Sequence, residues 1–274
     1  MLSLALLTGC EHATEGLVYA KKLDGSQNKS MLVGYTGRET DVIISSSVTI
    51  IGEGAFVGHQ LTNVTIPDSV TTIEDEAFKD NELTNLTIPG SVVAIGKGAF
   101  SDNKLTSVTL PDSLSTIGAG GFNGNALSTL NNIPSDGFIF ARNDDGTENK
   151  RVVVSYGGAR RDIVVPDSVT TLGKGALYEN KLTNVTLPNT LTTIRELALS
   201  HNELTRVTLP DSVLTIGRRA FDGNKLTSIT FPDSVTVIGE EAFTDNEITS
   251  VIIPGSVRTI SPWAFDLGVV TKRN

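Results

Sequence analysis

The stretch Leu61-Thr-Asn-Val-Thr-Ile-Pro-Asp-Ser-Val-Thr-Thr-Ile-Glu-Asp-Glu-Ala-Phe-Lys-Asp-Asn-Glu82 decides the fold. The residues from Leu83 to Lys104 repeat it almost position by position, and Leu105 opens another copy. Leu61, Leu83, Leu105 and Leu127 are spaced by 22 residues, and so are Leu182, Leu204, Leu226 and Ile248. The consensus is L-T-x-V-T-(I/L)-P-D-S-V-T-T-I-G-x-x-A-F-x-D-N-x. A proline column runs through Pro67, Pro89, Pro111, Pro188, Pro210, Pro232 and Pro254. A second column holds Phe56, Phe78, Phe100, Phe122, Phe221, Phe243 and Phe265, with Leu177 and Leu199 standing in for phenylalanine. At Asn131-Asn132 the pattern slips by one residue, which moves that proline to Pro134.

A longer period of 121 residues lies above the short one. It relates Gly16–Gly25 to Gly137–Gly146, Tyr35 to Tyr156, Asp41 to Asp162 and Leu61 to Leu182. The chain therefore divides into a short segment 1–15, a first half 16–136 and a second half 137–274.

Within one repeat, Val64 and Ile66 alternate with polar residues, the period of a half-buried strand. Val70 and Ile73 mark a shorter strand or bend. The Gly-x-x-Ala-Phe segment predicts one helical or 3₁₀ turn with Ala and Phe inward. Proline after the first strand turns the chain, and Asp68, Asp112, Asp167, Asp211 and Asp233 are placed to accept backbone N–H groups there. No single repeat can bury its apolar side alone, so the copies must stack. Stacking predicts one continuous core of Leu, Val, Ile and Phe. It also aligns Asn81, Asn103, Asn125, Asn180, Asn202, Asn224 and Asn246 into a ladder whose amides bond the backbone of the adjacent turn. His59 takes this column in the first turn and reads as an imperfect cap. Segments 16–45 and 137–166 depart from the repeat, and each carries Asp-Gly between apolar runs, which predicts a β-hairpin. The expected architecture is mainly β, a solenoid of 22-residue turns with two hairpin cassettes.

Composition narrows the function. The net charge of −9 opposes nucleic acid or an anionic membrane surface as partner. There is no run of 18 apolar residues, so no spanning helix is expected. One cysteine excludes an internal disulfide and a cysteine zinc cluster. That cysteine closes the apolar start of the chain as Leu7-Thr8-Gly9-Cys10, which looks like a bacterial lipobox, although the first lysine is only Lys21. Cys10 is thus the expected lipid attachment point, and a lipid chain the expected membrane contact.

These residues resemble the BspA-like, or Treponema pallidum-type, leucine-rich repeat. The resemblance covers about nine turns from Val48 to Phe265, and its Pro, Ile-Gly and Ala-Phe recur together. The family often has cysteine where this chain has asparagine before the strand leucine. The resemblance implies a leucine-rich repeat solenoid from a secreted or surface-anchored microbial protein. For this chain that means a bacterial cell envelope, at the outer membrane or cell surface, and adhesion to host or other cells is among the implied roles.

No catalytic set emerges from the residues. His12, His59 and His201 are isolated, and neither H-E-x-x-H nor a nucleophile elbow occurs. Gly-x-Gly recurs before Ala-Phe from turn to turn, so it reads as architecture rather than a dinucleotide site. No enzyme activity, cofactor or metal is expected; Asp80, Asp102 and Asp245 form an acidic column read as a solvated edge. The candidate binding face is the outward side of the first strand: Asn63/Thr65, Asn85/Thr87, Ser107/Thr109, Asn184/Thr186, Arg206/Thr208 and Ser228/Thr230. Its expected partner is a protein or a glycan, and the alternative is a structural spacer with no ligand. Trp263 is expected to shield the C-terminal end of the core. The segment from Val269 onward does not complete another repeat.

Overall fold

The computed structural model describes residues 13–143 and 145–273. Cys10 and His12 lie outside them. The described residues contain strands, turns and bends and no helix, wound into a β-solenoid.

Each turn contributes a two-residue strand ending in its central isoleucine or leucine. Thr72–Ile73, Ala94–Ile95 and Thr116–Ile117 pair in parallel, at matching repeat positions. The ladder starts on the first cassette, where Met31–Leu32 pairs with Ile50–Ile51. A second ladder starts the same way, with Val152–Val153 on Thr171–Leu172, and runs through Thr193–Ile194, Thr215–Ile216 and Val237–Ile238 to Thr259–Ile260. Both cassettes are hairpins: Leu17–Lys21 lies antiparallel to Gln27–Tyr35, and Phe138–Arg142 to Glu148–Tyr156. At the first hairpin tip Gly25 has φ 83°, and the Asp24 carboxylate accepts bonds from the Ser26 hydroxyl and N–H.

Three ladders hold the turns together. The phenylalanines stack with ring centroids 5.0 Å apart from Phe56 to Phe78, 5.1 Å from Phe78 to Phe100 and 5.4 Å from Phe100 to Phe122, within the range aromatic pairs favour. Tyr35 opens this stack 5.5 Å from Phe56, and His59 packs edge-on to Tyr35 as the cap of its column. The asparagine ladder forms at six of its seven expected positions. The amide of Asn103 donates to the carbonyls of Phe78 and Phe100, and its oxygen accepts the Leu83 N–H. Asn81, Asn125, Asn202, Asn224 and Asn246 repeat the pattern.

The third ladder was not read from the sequence. The hydroxyl two residues after proline bonds back to the preceding turn, Ser69 to the Val48 carbonyl (2.6 Å) and Ser91 to that of Val70 (2.6 Å). Ser113, Thr190, Ser212 and Ser234 do the same. The aspartates of these turns, expected to accept backbone N–H groups, are solvent-exposed. Ser256 occupies the same column, but its buried Oγ has no partner. Ser91→Ala is therefore expected to cost about 1–2 kcal/mol in urea unfolding, because it strands a carbonyl, while Ser256→Ala should be close to neutral. Equal losses in the two variants would refute the ladder.

Four expectations need correction. The Gly-x-x-Ala-Phe segment is a β-turn, not a helical turn: Ala55 N–H donates to the Gly52 carbonyl, and Gly54 has φ 60°, as the third position of a type II turn requires. Glu76, Leu197, Arg219 and Glu241 hold the same left-handed backbone without glycine. Pro134 does not begin a slipped repeat. Asn131 and Asn132 both have positive φ (51° and 61°), and they fold Ile133–Pro134 back antiparallel onto Thr129–Leu130. Trp263 is 58% exposed, because Pro262 and Trp263 sit at the outward middle of a turn closed by Ala264 N–H on the Ser261 carbonyl. Phe265, stacked 5.4 Å from Phe243, ends the aromatic column instead. Finally, the core is two clusters, one built on the first half plus Ile139, the other running from Phe138 to Ala264.

The division falls at a polar seam. Asn123 is buried there, and its oxygen accepts the Ser155 hydroxyl (2.7 Å) and the Tyr156 N–H (3.1 Å). Its amide donates to the carbonyls of Tyr178 (2.7 Å) and Gly175 (3.3 Å). Asn180 leaves the ladder pattern to accept from Gly124 N–H across the same seam. The tail does not complete another repeat, although Val270–Arg273 pairs in parallel with Ser250–Ile253.

Candidate functional site

All twelve residues of the candidate face stand at solvent-exposed or half-exposed positions. The pleat requires this, since Val64, Leu86, Val108, Val185, Val207 and Ile229 take the inward positions between them. The hydroxyls of Thr65, Thr87, Thr109, Thr186, Thr208 and Thr230 form no hydrogen bond among the described residues. In the adjacent column Thr62, Thr106 and Thr183 each bond the backbone one turn back, while Thr205 and Thr227 do not. The face column thus carries hydroxyls with no structural duty. Asn63 and Asn184 are committed, each donating to an aspartate of its cassette, Asp41 (3.0 Å) and Asp162 (2.9 Å).

The face is not one sheet. Asn63–Thr65 pairs with Asp41–Ile43, and Asn85–Thr87 pairs with Ser107–Thr109 in a separate sheet. Asn184–Thr186 pairs with Asp162–Val164, while Arg206–Thr208 and Ser228–Thr230 lie outside any strand ladder. The antiparallel strand Ile133–Pro134 and the second cassette separate the two groups. The sequence period aligned these residues, but only hydrogen-bond geometry decides which neighbouring turns pair.

The acidic column has a backbone explanation. Asp80, Asp102 and Asp245 share it with Gly58, Gly124, Gly223 and His201, and all have φ between 51° and 70°. Glycine and aspartate are enriched where φ is positive, so conformation selects these residue types. Burial pushes the Asp102 carboxyl above its ordinary range, against the lowering effect of Lys79. Among the described residues, no three His, Cys, Asp or Glu side chains gather as a metal site would.

His201, isolated in the sequence, meets Ser200 and Asp222 in space. Ser200 Oγ lies 2.7 Å from His201 Nδ1, and Asp222 Oδ2 lies 3.9 Å from the same nitrogen. A proton relay needs its hydroxyl and carboxylate on opposite ring nitrogens, and an accessible nucleophile. Here both face Nδ1, and Ser200 is fully buried. The arrangement is a local hydrogen-bond cluster.

A match to the BspA type leucine rich repeat region covers residues 35–141 and 156–268, in six copies. The chain belongs to the BspA-type leucine-rich repeat family. The BspA-type match breaks over 142–155, where the second hairpin interrupts the turns. No curated protein sequence matches the chain significantly. Among solved structures, the pneumococcal vaccine antigen PcpA is similar at 21% identity and a TM-score of 0.64, over 93% of this chain and 72% of that one. A leucine rich cell surface protein of Faecalibacterium prausnitzii is similar at 18% identity and a TM-score of 0.55, over 95% and 94%. A leucine-rich repeat protein of Eubacterium ventriosum gives 19% and 0.57, over 89% and 78%. At these identities the likeness establishes the BspA-type fold. No helix among the described residues is long and apolar enough to cross a membrane.

Proposed function

We propose that the chain is a non-enzymatic bacterial surface protein that binds a protein or glycan ligand through its threonine face. The observation that carries this is the column of six threonine hydroxyls, one on each of six turns, that stand at exposed or half-exposed positions and form no hydrogen bond among the described residues. An extended repeat surface suits a ligand long enough to touch several turns. Family membership and the cell surface description of the Faecalibacterium protein support the location. In this reading Cys10 carries the lipid anchor, since acyl chains hold a protein to a membrane without a spanning helix.

Two measurements test it. Palmitate labelling of the full chain in a bacterial host should be lost in Cys10→Ala; unchanged labelling refutes the anchor. Binding to a panel of matrix proteins and glycans should fall at least tenfold in a quadruple variant with lysine at Thr87, Thr109, Thr208 and Thr230. Wild-type strength in that variant, or no ligand in the panel together with adhesion unaltered by deletion, would favour the spacer reading.

A further inference from the structure

A cleft of about 270 Å³ opens at the seam, on the turn segments around Gly-x-x-Ala-Phe rather than on the strand face. Its floor is small: Gly98, Ser101, Ala119, Gly120, Asn123 and Gly175. The 121-residue duplication supplies an internal control. In the second half the positions of Gly98, Ala119 and Gly120 carry Arg219, Glu240 and Glu241. There the long side chains close over the surface in ion pairs, Arg219 with Glu241 and Arg218 with Glu240. The depression is therefore made by residue choice at these positions, on a backbone that accepts large side chains: φ is 58° at Gly98 and 52° at Arg219.

The walls carry mixed charge. Lys79, Lys97 and Lys174 line it together with Glu76, Asp102 and Glu179, and Arg219, paired with Glu241, forms its second-half edge; Lys174 is paired with Glu196. An anion would meet three carboxylates, and a cation would meet Lys79 and Lys97. A neutral hydroxyl is served by both, donating to a carboxylate and accepting from an ammonium group. Tyr178 lines one wall with its ring 5.4 Å from His201, an aromatic surface for the apolar face of a ring. Burial and the Glu179 carboxylate push the Tyr178 phenol up to about 12, so it remains a donor at neutral pH. The volume lies just below the roughly 300–1,000 Å³ of sites for drug-sized ligands, so one ring fits and an extended chain does not.

We infer that this cleft is a carbohydrate site taking one neutral sugar ring. The inference goes beyond the threonine-face reading and uses other residues, so each can fail alone. The test is saturation-transfer NMR on the full chain with glucose, galactose, mannose and N-acetylglucosamine as probes. At least one probe should receive saturation from the wild type. Gly98→Arg, which installs the side chain found at the same position of the second half, should weaken that signal at least tenfold, and so should Tyr178→Ala. Asp68→Asn, at an exposed position outside both surfaces, should leave it unchanged. Silence from all four probes overturns the inference. So does a signal that survives both cleft variants, or one lost in Thr87→Lys and kept in Gly98→Arg.

Discussion

Asn103→Leu is expected to destabilise the chain by about 3–5 kcal/mol, one of the largest effects of any single side chain. The residue is 7% exposed and makes its bonds inside the stack. Its oxygen satisfies the Leu83 N–H, and its amide serves the carbonyls of Phe78, Phe100 and Ser101. Leucine fills a similar volume but abandons several backbone groups in a dry interior, at about 1–3 kcal/mol each before relaxation. The loss should appear as a lower urea midpoint with native circular dichroism retained at zero denaturant. Asn85→Leu, at an exposed position, should change stability by less than about 0.5 kcal/mol. If the two variants unfold alike, the ladder does not bear on stability as argued.

The second large effect concerns the seam. Asn123→Ala removes four bonds that tie the end of the first half to Ser155, Tyr156, Gly175 and Tyr178. In a linear stack, stability is close to a sum of nearest-neighbour terms, so a weakened interface separates the blocks on either side. The variant should unfold in two steps where the wild type unfolds in one. Gly157→Thr should act in the same direction by a different route. A Cβ at Gly157 would lie 2.6 Å from Leu127 Cδ1 and 2.9 Å from the Phe122 carbonyl, while the matching residue of the first cassette is Thr36. A single, merely shifted transition in both variants would show that the halves do not part at this interface.

Much of the fold was legible because spacing alone fixes which residues stack. Leucine, phenylalanine and asparagine columns separated by 22 residues have one arrangement that buries them all. What escaped was decided by local geometry that residue type under-reports. Ser69 and Asp68 are both good turn residues, and only the direction of each side chain tells which reaches the next turn. Glu76 and Gly54 share one backbone conformation, so Gly-x-x-Ala-Phe concealed a type II turn. Trp263 stood out by its rarity, yet its place in the column, level with Arg219 and Glu241, marks it as outward. The seam was hidden because Asn123 and Ser155 lie far apart in sequence and the column of Asn123 changes residue type from turn to turn, through Lys79, Ser101, Ser200 and Asp222. For the candidate site, the sequence yielded the outward residues of each turn. It did not yield the breaks between their sheets, nor the cleft, which becomes visible only when the two halves are compared in space.

The asparagine ladder has one more consequence. Each link spans a constant sequence offset, 20 residues from the Asn81 oxygen to the Leu61 N–H and 25 from its amide to the Phe56 carbonyl, and Asn103 and Asn125 repeat both values. Those rules are unaltered by moving one period along the chain. Excising or inserting a whole period between Leu61 and Leu105 leaves every surviving partner with a partner of the same kind. Length is thus a free variable of this architecture, adjustable in steps of one turn, whereas a change of any other size would throw every column out of phase at once.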